Sequence, residues 1–279
     1  MSESWLKIKF MSIYVILGPL TFIILIDSLR AACLSHKFVD NTTLSEIIDK
    51  GTDSQMQQFV DELVEGSTRN AMNVNGRKTK EMLIGPICKM PPPQLTLDGA
   101  VVNQVTTFKL LGVHISDDLK WMQHVDAVCS KAASRLHFLK QLARSGAPQE
   151  DLLCFYCTVV RPVLEYACPV WHSSLTVAQS DAIELIQKRA LRLIYKSDYQ
   201  SALLIAGVDE LQSRREQLSQ KFFIRNVLNS DSCLNYLLPE KRDPGIITRL
   251  RNPRPYESFN SRTVKFDKSF IPYCVINYL

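Results

Sequence analysis

Phe38-Val39-Asp40-Asn41 sets a carboxylate beside a carboxamide in a stretch that reads as a tight turn. Asp and Asn suit turns because their side chains bond nearby backbone. Two adjacent oxygens at a turn tip can hold a divalent metal for phosphoryl transfer. The same four residues also read as an ordinary solvated turn, and residue types alone support that plainer reading. Cations make the second set of candidates. Gln187-Lys188-Arg189-Ala190-Leu191-Arg192 carries Lys188, Arg189 and Arg192. Residues 241 to 279 hold eight Lys or Arg, among them Arg249, Arg251 and Arg254, against three acids. A basic segment suits a phosphate backbone, or it is a solvated Arg- and Pro-rich loop.

The elements that must position these groups follow from periodicity. Residues 37 to 48 read as a hairpin around Asp40. Ser54 to Glu65 reads as a helix capped by Ser54, with Met56, Phe59, Val60 and Leu63 on one face. Asn73 to Lys80 reads as a turn leading into a strand. Pro91-Pro92-Pro93 is a break, and Asp98-Gly99 a hairpin turn. Phe108 to Ile115 reads as one strand. Beyond residue 117 the pattern is helical, with Asp117 or Asp118 as cap. Val125, Val128, Ala132, Leu136, Leu139 and Leu142 form one stripe, ended by Gly146-Ala147-Pro148. Further helices are expected over Gln149–Tyr166, bent near Pro162, over Ser180–Lys196, and over Asp209–Asn229 with Leu211, Leu218, Phe222 and Leu228 inward. Lys188, Arg189 and Arg192 fall off the stripe of Ile183, Ile186, Ala190 and Ile194, on a face open to nucleic acid or to solvent.

The chain has 279 residues, 46% apolar and 22% charged, with net charge +5. That composition is globular, and the length gives one large domain or two ordinary ones. The excess charge lies in residues 241 to 279. Eight cysteines are irregularly spaced. Cys154-Phe155-Tyr156-Cys157 is a lone pair, and zinc wants four ligands. Even with Cys168 and His172 nearby, apolar neighbours point to buried free thiols in a reducing compartment. Phe10 to Ile26 has no charge and sits at the lower length limit of a membrane span. Gly18-Pro19 interrupts it, so a buried helix from about Pro19 is expected.

Four segments in order give these parts a common source. Val15-Ile16-Leu17-Gly18-Pro19-Leu20-Thr21-Phe22 is similar to a Gln-Gly-x-x-x-Gly-Pro-Leu-x-Phe segment. Phe38-Val39-Asp40-Asn41 is similar to an aromatic-x-Asp-Asp motif, and Met72 to Met82 to an Asn-x-x-Lys-Thr segment. Phe108-Lys109-Leu110-Leu111-Gly112-Val113 is similar to a primer-grip strand. Together they resemble the reverse transcriptase of non-LTR retrotransposons of the jockey or CR1 kind, over roughly residues 13 to 279. Val160 to Trp171 resembles that family's thumb signature, and Ser269-Phe270-Ile271-Pro272-Tyr273 its closing block.

The resemblance implies an α+β fold. A truncated palm (1–116), a small antiparallel sheet with helices, precedes a helical thumb-like region (117–240) and a basic C-terminal segment (241–279). It implies Asp40 and Asn41 as metal ligands and catalytic positions, Lys78 as an acid toward pyrophosphate, and Leu111 and Gly112 as the primer grip. Mg2+ is the parent cofactor. The departures matter as much. The family's third carboxylate lies on an earlier strand, expected before residue 13 and so absent. Met11-Ser12-Ile13-Tyr14 stands in place of Pro-Gln-Gly. Asn41 brings no negative charge. One carboxylate cannot clamp two ions about 3.5 to 4 Å apart. The chain is therefore expected to lack polymerase activity, with Asp40 the surviving metal ligand and Asn41 a weakened one, and to bind RNA or an RNA–DNA hybrid weakly through Lys188, Arg189, Arg192, Arg249, Arg251 and Arg254. Its expected place is inside the cell, in cytoplasm or nucleus. Two other classes stay open: a non-enzymatic helical protein-interaction module derived from a transposon, and a helical protein anchored in a membrane by residues 10–26.

Overall fold

The computed structural model describes residues 4–14, 33–49, 51–243, 245, 254–257, 259–260 and 263–279. The fold is mixed α+β. The chain divides into two compact units, Met1–Lys120 and Trp121–Leu279.

In the first unit, strand β1 (Ser4–Tyr14) lies in the middle of a sheet. On one side it pairs with β3 (Asn41–Asp49), which pairs in turn with β2 (Leu34–Phe38). On the other side it pairs with β5 (Lys80–Ile84), and its end meets β4 (Asn73–Val74). β2 and β3 form the hairpin expected around Asp40. No strand was read at residues 4–14, although Leu6-Lys7-Ile8-Lys9-Phe10 alternates with the period of a strand. The sequence carries no Asp or Glu from Ser4 to Tyr14. Phe10 to Tyr14, expected to begin a long apolar run, are strand; the helix expected from Pro19 lies outside the described residues.

Helix α1 (Met56–Arg69) buries Met56, Phe59, Val60 and Leu63, the expected face, against Leu44, Met72, Leu95, Leu97 and Val102. Ser54 accepts from the Met56 N–H at 3.2 Å, but it stands one residue before the cap position, which Gln55 holds, so it is not the cap that was expected. Strands β6 (Thr96–Leu97) and β7 (Ala100–Val101) close on Asp98-Gly99, both at positive φ, as an Asp-Gly hairpin turn requires. The stretch Phe108 to Ile115 is not one strand. β9 (Thr107–Leu110) turns back on β10 (Val113–Ser116) through Leu111-Gly112, and β8 (Asn103–Gln104) precedes them, parallel to β5. Leu111 (φ 47°) and Gly112 (φ 89°) both sit in the left-handed region. Leu is a poor residue for that conformation, so the turn was illegible.

The second unit is helical. α2 (Met122–Arg144) starts after Trp121; Asp118 instead bonds Ser116 and the Lys120 N–H in a turn ahead of it. Its stripe is buried except Leu142, which is 38% exposed. Residues 149–174 form the one helical stretch, among the described residues, long and apolar enough to cross a membrane. It is not continuous. A π turn at Tyr156–Val160 precedes Pro162, and Ala167 is left-handed (φ 52°). Extra residues in a turn and proline are recognised causes of helix bending. Tyr156, Val160, Leu164 and Trp171 are fully buried in the core. α3 (Val177–Tyr195) begins earlier than expected, at a capping box between Thr176 and Gln179. α4 (Tyr199–Ala206) was not read. α5 (Leu211–Phe222) passes into a π turn at Phe223–Val227, with Leu211 buried and Phe222 37% exposed. Phe223 and Val227 meet Cys274 and Val275 of the helix α6 (Phe270–Asn277).

Candidate functional site

In the first unit three distant segments line one cleft of about 530 Å3. The first is the turn between β2 and β3. Phe38 pairs with Asn41, so Val39 and Asp40 form the loop, with Val39 at φ 52°. A β-branched residue there is a backbone outlier. Asp40 is half-buried and Asn41 exposed. The Asn41 amide nitrogen faces the Asp40 carboxylate at 3.5 Å. The carboxamide thus shows N–H, not oxygen, beside the carboxylate, the opposite of what a cation needs.

The second wall is the turn before β5. Asn75 fixes it: its side chain accepts from the Lys78 N–H at 3.0 Å, and its carbonyl accepts from the Thr79 N–H and hydroxyl. Thr79 is fully buried. Gly76 leaves room for the Leu97 methyl, which would lie 3.2 Å from an added Cβ. Arg77, Lys78 and Lys80 from this turn line the cleft. The third wall is β9 with Val105 ahead of it, held in place because Phe108, Leu110 and Ile115 pack on Met82 and Ile84. The expected grip residues Leu111 and Gly112 are in the turn beyond; Phe108, Lys109 and Leu110 of β9 contribute to the lining instead.

The structure therefore brings Asp40, Asn41 and Lys78 together with β9. It also adds Arg77, Lys80 and Lys109, which sequence reading had not singled out. Among the described residues, four cations and one carboxylate, that of Asp40, line the cleft. No three His, Cys, Asp or Glu side chains come together among the described residues. This donor set does not fit a two-metal centre.

In the second unit Arg189 and Arg192 meet His137 and Lys140 across a groove of about 390 Å3 between α3 and α2. No acid lines it. Lys140 and His137 were missed. Their signal was spacing: Ala133, His137 and Lys140 form one ridge, as Arg189, Arg192 and Leu193 do on the facing helix. Lys188 is elsewhere, its Nζ 5.1 Å above the Tyr199 ring. Arg254 is half-buried beside the bridge of Tyr256 to Lys241, and Arg249 and Arg251 lie outside the described residues.

A polar chain runs through the same unit. Arg215 is fully buried, 5.8 Å over the Trp171 ring; its Nε donates to His172 Nδ1 at 3.4 Å and its Nη2 to Ser180 Oγ at 3.1 Å. His172 Nε2 lies 2.8 Å from Glu216, which also accepts from Tyr273 (2.9 Å) and Tyr278 (2.6 Å). Because Nδ1 accepts, Nε2 carries the proton. Burial, and then the Arg215 charge, hold His172 below the ordinary imidazole range. For Glu216, burial alone would raise the pKa, but hydrogen bonds from Tyr278, Tyr273 and His172 outweigh it and hold the carboxyl low. Apart from Arg215 Nη1, which is buried without a hydrogen-bond partner, the groups of this chain are held by one another, which reads as scaffold. The described cysteines are all free. Cys154 is exposed rather than buried as expected, and burial pushes the Cys168 thiol up to about 11, away from a ligating thiolate.

No protein-family model matches this chain, and no curated protein matches it in sequence.

Proposed function

We propose that this protein derives from an RNA-directed DNA polymerase of the non-LTR retrotransposon kind and grips RNA or an RNA–DNA hybrid without extending a primer. One observation carries the reading. The turn at Asp40, the segment at Arg77–Lys80 and strand β9 are far apart in sequence, yet they line one cleft. These are the segments that the resemblance assigns to metal binding, pyrophosphate release and the primer. On this reading the sheet unit is the palm and the helical unit the thumb. The parent chemistry uses Mg2+ to activate the primer hydroxyl and steady the phosphates. Among the described residues no second carboxylate lines the cleft, and no step through the metal is assigned to these residues.

Binding would rest on the groove of Lys140, Arg189 and Arg192, and so on backbone phosphates without base preference. An RNA–DNA primer-template titrated at several salt concentrations tests this, with extension read in the same tubes. Binding should weaken with salt at a log–log slope of about three, one for each groove cation, and no extension should appear. Extension that disappears in Asp40→Ala would overturn the inactivity, and absence of binding at low salt would overturn the grip.

One feature favours the alternative of a protein-interaction module. Phe138 (61% exposed) and Leu142 line a largely apolar groove of about 690 Å3 with Phe155 and Val159. Phe138→Asp should leave salt-dependent nucleic-acid binding intact if the first reading holds.

A further inference from the structure

Of the eight cysteines only Cys154 and Cys157 lie three residues apart. Cys154 stands in the helix Gln149–Phe155, and Cys157 in the π turn Tyr156–Val160 that continues it. Residues three apart on a helix are surface neighbours, with Cβ atoms about 5 to 6 Å apart. A disulfide needs them about 3.5 to 4.5 Å apart. The helix thus holds the pair about 1 to 2 Å short of a bridge. The pair also falls where the α-helical ladder is already interrupted, and π turns gather at functional sites. The two thiols differ in their surroundings. Cys154 is exposed, and Cys157 is half-buried against the helical core. Burial pushes the Cys157 thiol up, the Arg161 and Arg214 charges pull it back in part, and the nearby Cys154 thiol adds to the rise.

We infer that Cys154 and Cys157 form a reversible dithiol site, which a small disulfide such as oxidised glutathione converts to a disulfide within one helix. The site is independent of the proposed nucleic-acid grip. Cys154 reacts first, because it is exposed. Its thiolate attacks one sulfur of the glutathione disulfide. A bond forms from that sulfur to Cys154 Sγ, the glutathione S–S bond breaks, and one glutathione thiolate leaves and takes a proton from water. Cys157, having given its own proton to water, then attacks Cys154 Sγ and expels the second glutathione thiolate. The protein loses two electrons and two protons, and the glutathione disulfide gains them. A bridge that must draw its Cβ atoms together is strained and so easily reduced, as regulatory disulfides are. In a reducing compartment such a disulfide is transient and serves as a sensor. Because both cysteines lie on one helix, the bridge ties no second element in place. Its effect is local. Phe155 lies between the bridged residues, and Phe155, Thr158 and Val159 line the apolar groove that also contains Phe138 and Leu142.

The experiment treats the native full chain with oxidised glutathione, blocks the remaining thiols with iodoacetamide, and maps the peptides by mass. Chymotrypsin cuts after Phe155 and Tyr156, so a bridge between Cys154 and Cys157 leaves the cut halves joined until a reductant parts them. We expect joined halves, loss of the alkylatable thiol at both positions, and recovery of both thiols in excess reduced glutathione. Cys88 and Cys233 are exposed as well and serve as the comparison within the same sample. Glutathione should stay on them and not on Cys154. In Cys157→Ser, glutathione should stay on Cys154, because no second thiol expels it. In Cys154→Ser, Cys157 should keep its free thiol.

Wild-type Cys154 that keeps its glutathione as Cys233 does overturns the dithiol site. So does a bridge that forms only after unfolding in urea, or one that joins Cys157 to Cys168. A bridge that excess reduced glutathione leaves closed overturns its reversibility. The wild-type peptide map decides these outcomes without any substitution, so they stand even where a variant folds poorly.

Discussion

The two units treat their cations in opposite ways. In the sheet unit Arg77 and Lys109 are exposed around a cleft. In the helical unit Arg215 is fully buried and spends its donors on His172 and Ser180. A buried cation must be matched by polar neighbours or it costs several kcal/mol, so Arg215 is bound to its surroundings and belongs to the scaffold. An exposed cation keeps its water and can exchange it for a ligand. Backbone strain does not divide that way: Val39, Ala71, Leu111 and Leu119 hold left-handed conformations in the sheet unit and Ala167 does so in the helical unit.

The comparison can be broken most forcefully at the helical core. Trp171 is fully buried and donates its indole N–H to the Tyr166 carbonyl at 3.0 Å. Trp171→Ala should cost about 3 to 5 kcal/mol in urea unfolding; a loss below about 1 kcal/mol would mean that this core is not tightly packed. Glu216→Ala comes next. It removes the acceptor shared by His172, Tyr273 and Tyr278. We expect a loss of about 1 to 3 kcal/mol, with faster amide exchange over Phe270–Asn277 than over Met122–Arg144.

Acid should act through the same chain, more gently. The folded state holds His172 below its ordinary value of 6.5, so it favours the neutral ring, and the unfolded state takes up more protons. Stability is therefore full above that value and is lost as pH falls below it. Glu216 adds a further loss only below its ordinary value of 4.5. Melting between pH 7.5 and 5.5 should drop by a few degrees, and His172→Gln should flatten that drop. The smallest effect is at Leu111, where Leu111→Asn should stabilise the sheet unit by roughly 1 kcal/mol by removing the left-handed penalty of a bulky residue. A destabilised variant would show that the Leu111 side chain, 43% exposed, packs usefully.

Helix faces were legible because burial imposes a period on them. Val125, Val128, Ala132 and Ile183, Ile186, Ala190 all lie where the period places them. The β2–β3 hairpin was legible from its Asp-Asn turn. The turn at Leu111 was not, because Leu-Leu-Gly-Val reads as continuous strand. Strand β1 was overlooked because its apolar residues merge with a longer apolar run. At the cleft, the order of segments pointed to Asp40, Asn41 and Lys78, and on the third segment to Leu111 and Gly112, which lie in the turn beyond the lining. It could not show that Arg77, Lys80 and Lys109 would outnumber the acids there, since a charge in a sequence does not say what it faces. Arg215 was readable in principle: it lies four residues after Leu211 and four before Ser219, on the buried face of an otherwise polar helix.

The position of β1 bears on how the sheet can be assembled. It is made before either of its partners, Asn41–Asp49 on one side and Lys80–Ile84 on the other. The central strand must therefore wait, unpaired along both edges, until chain far downstream has emerged. Such long-range pairing is slow and leaves strand edges open to other chains. The helices from Met122 onward begin from local contacts and need no such delay. Synthesis rate should then govern how much of the sheet unit reaches its native pairing, and slowing translation once Ile84 has emerged from the ribosome should raise the soluble yield.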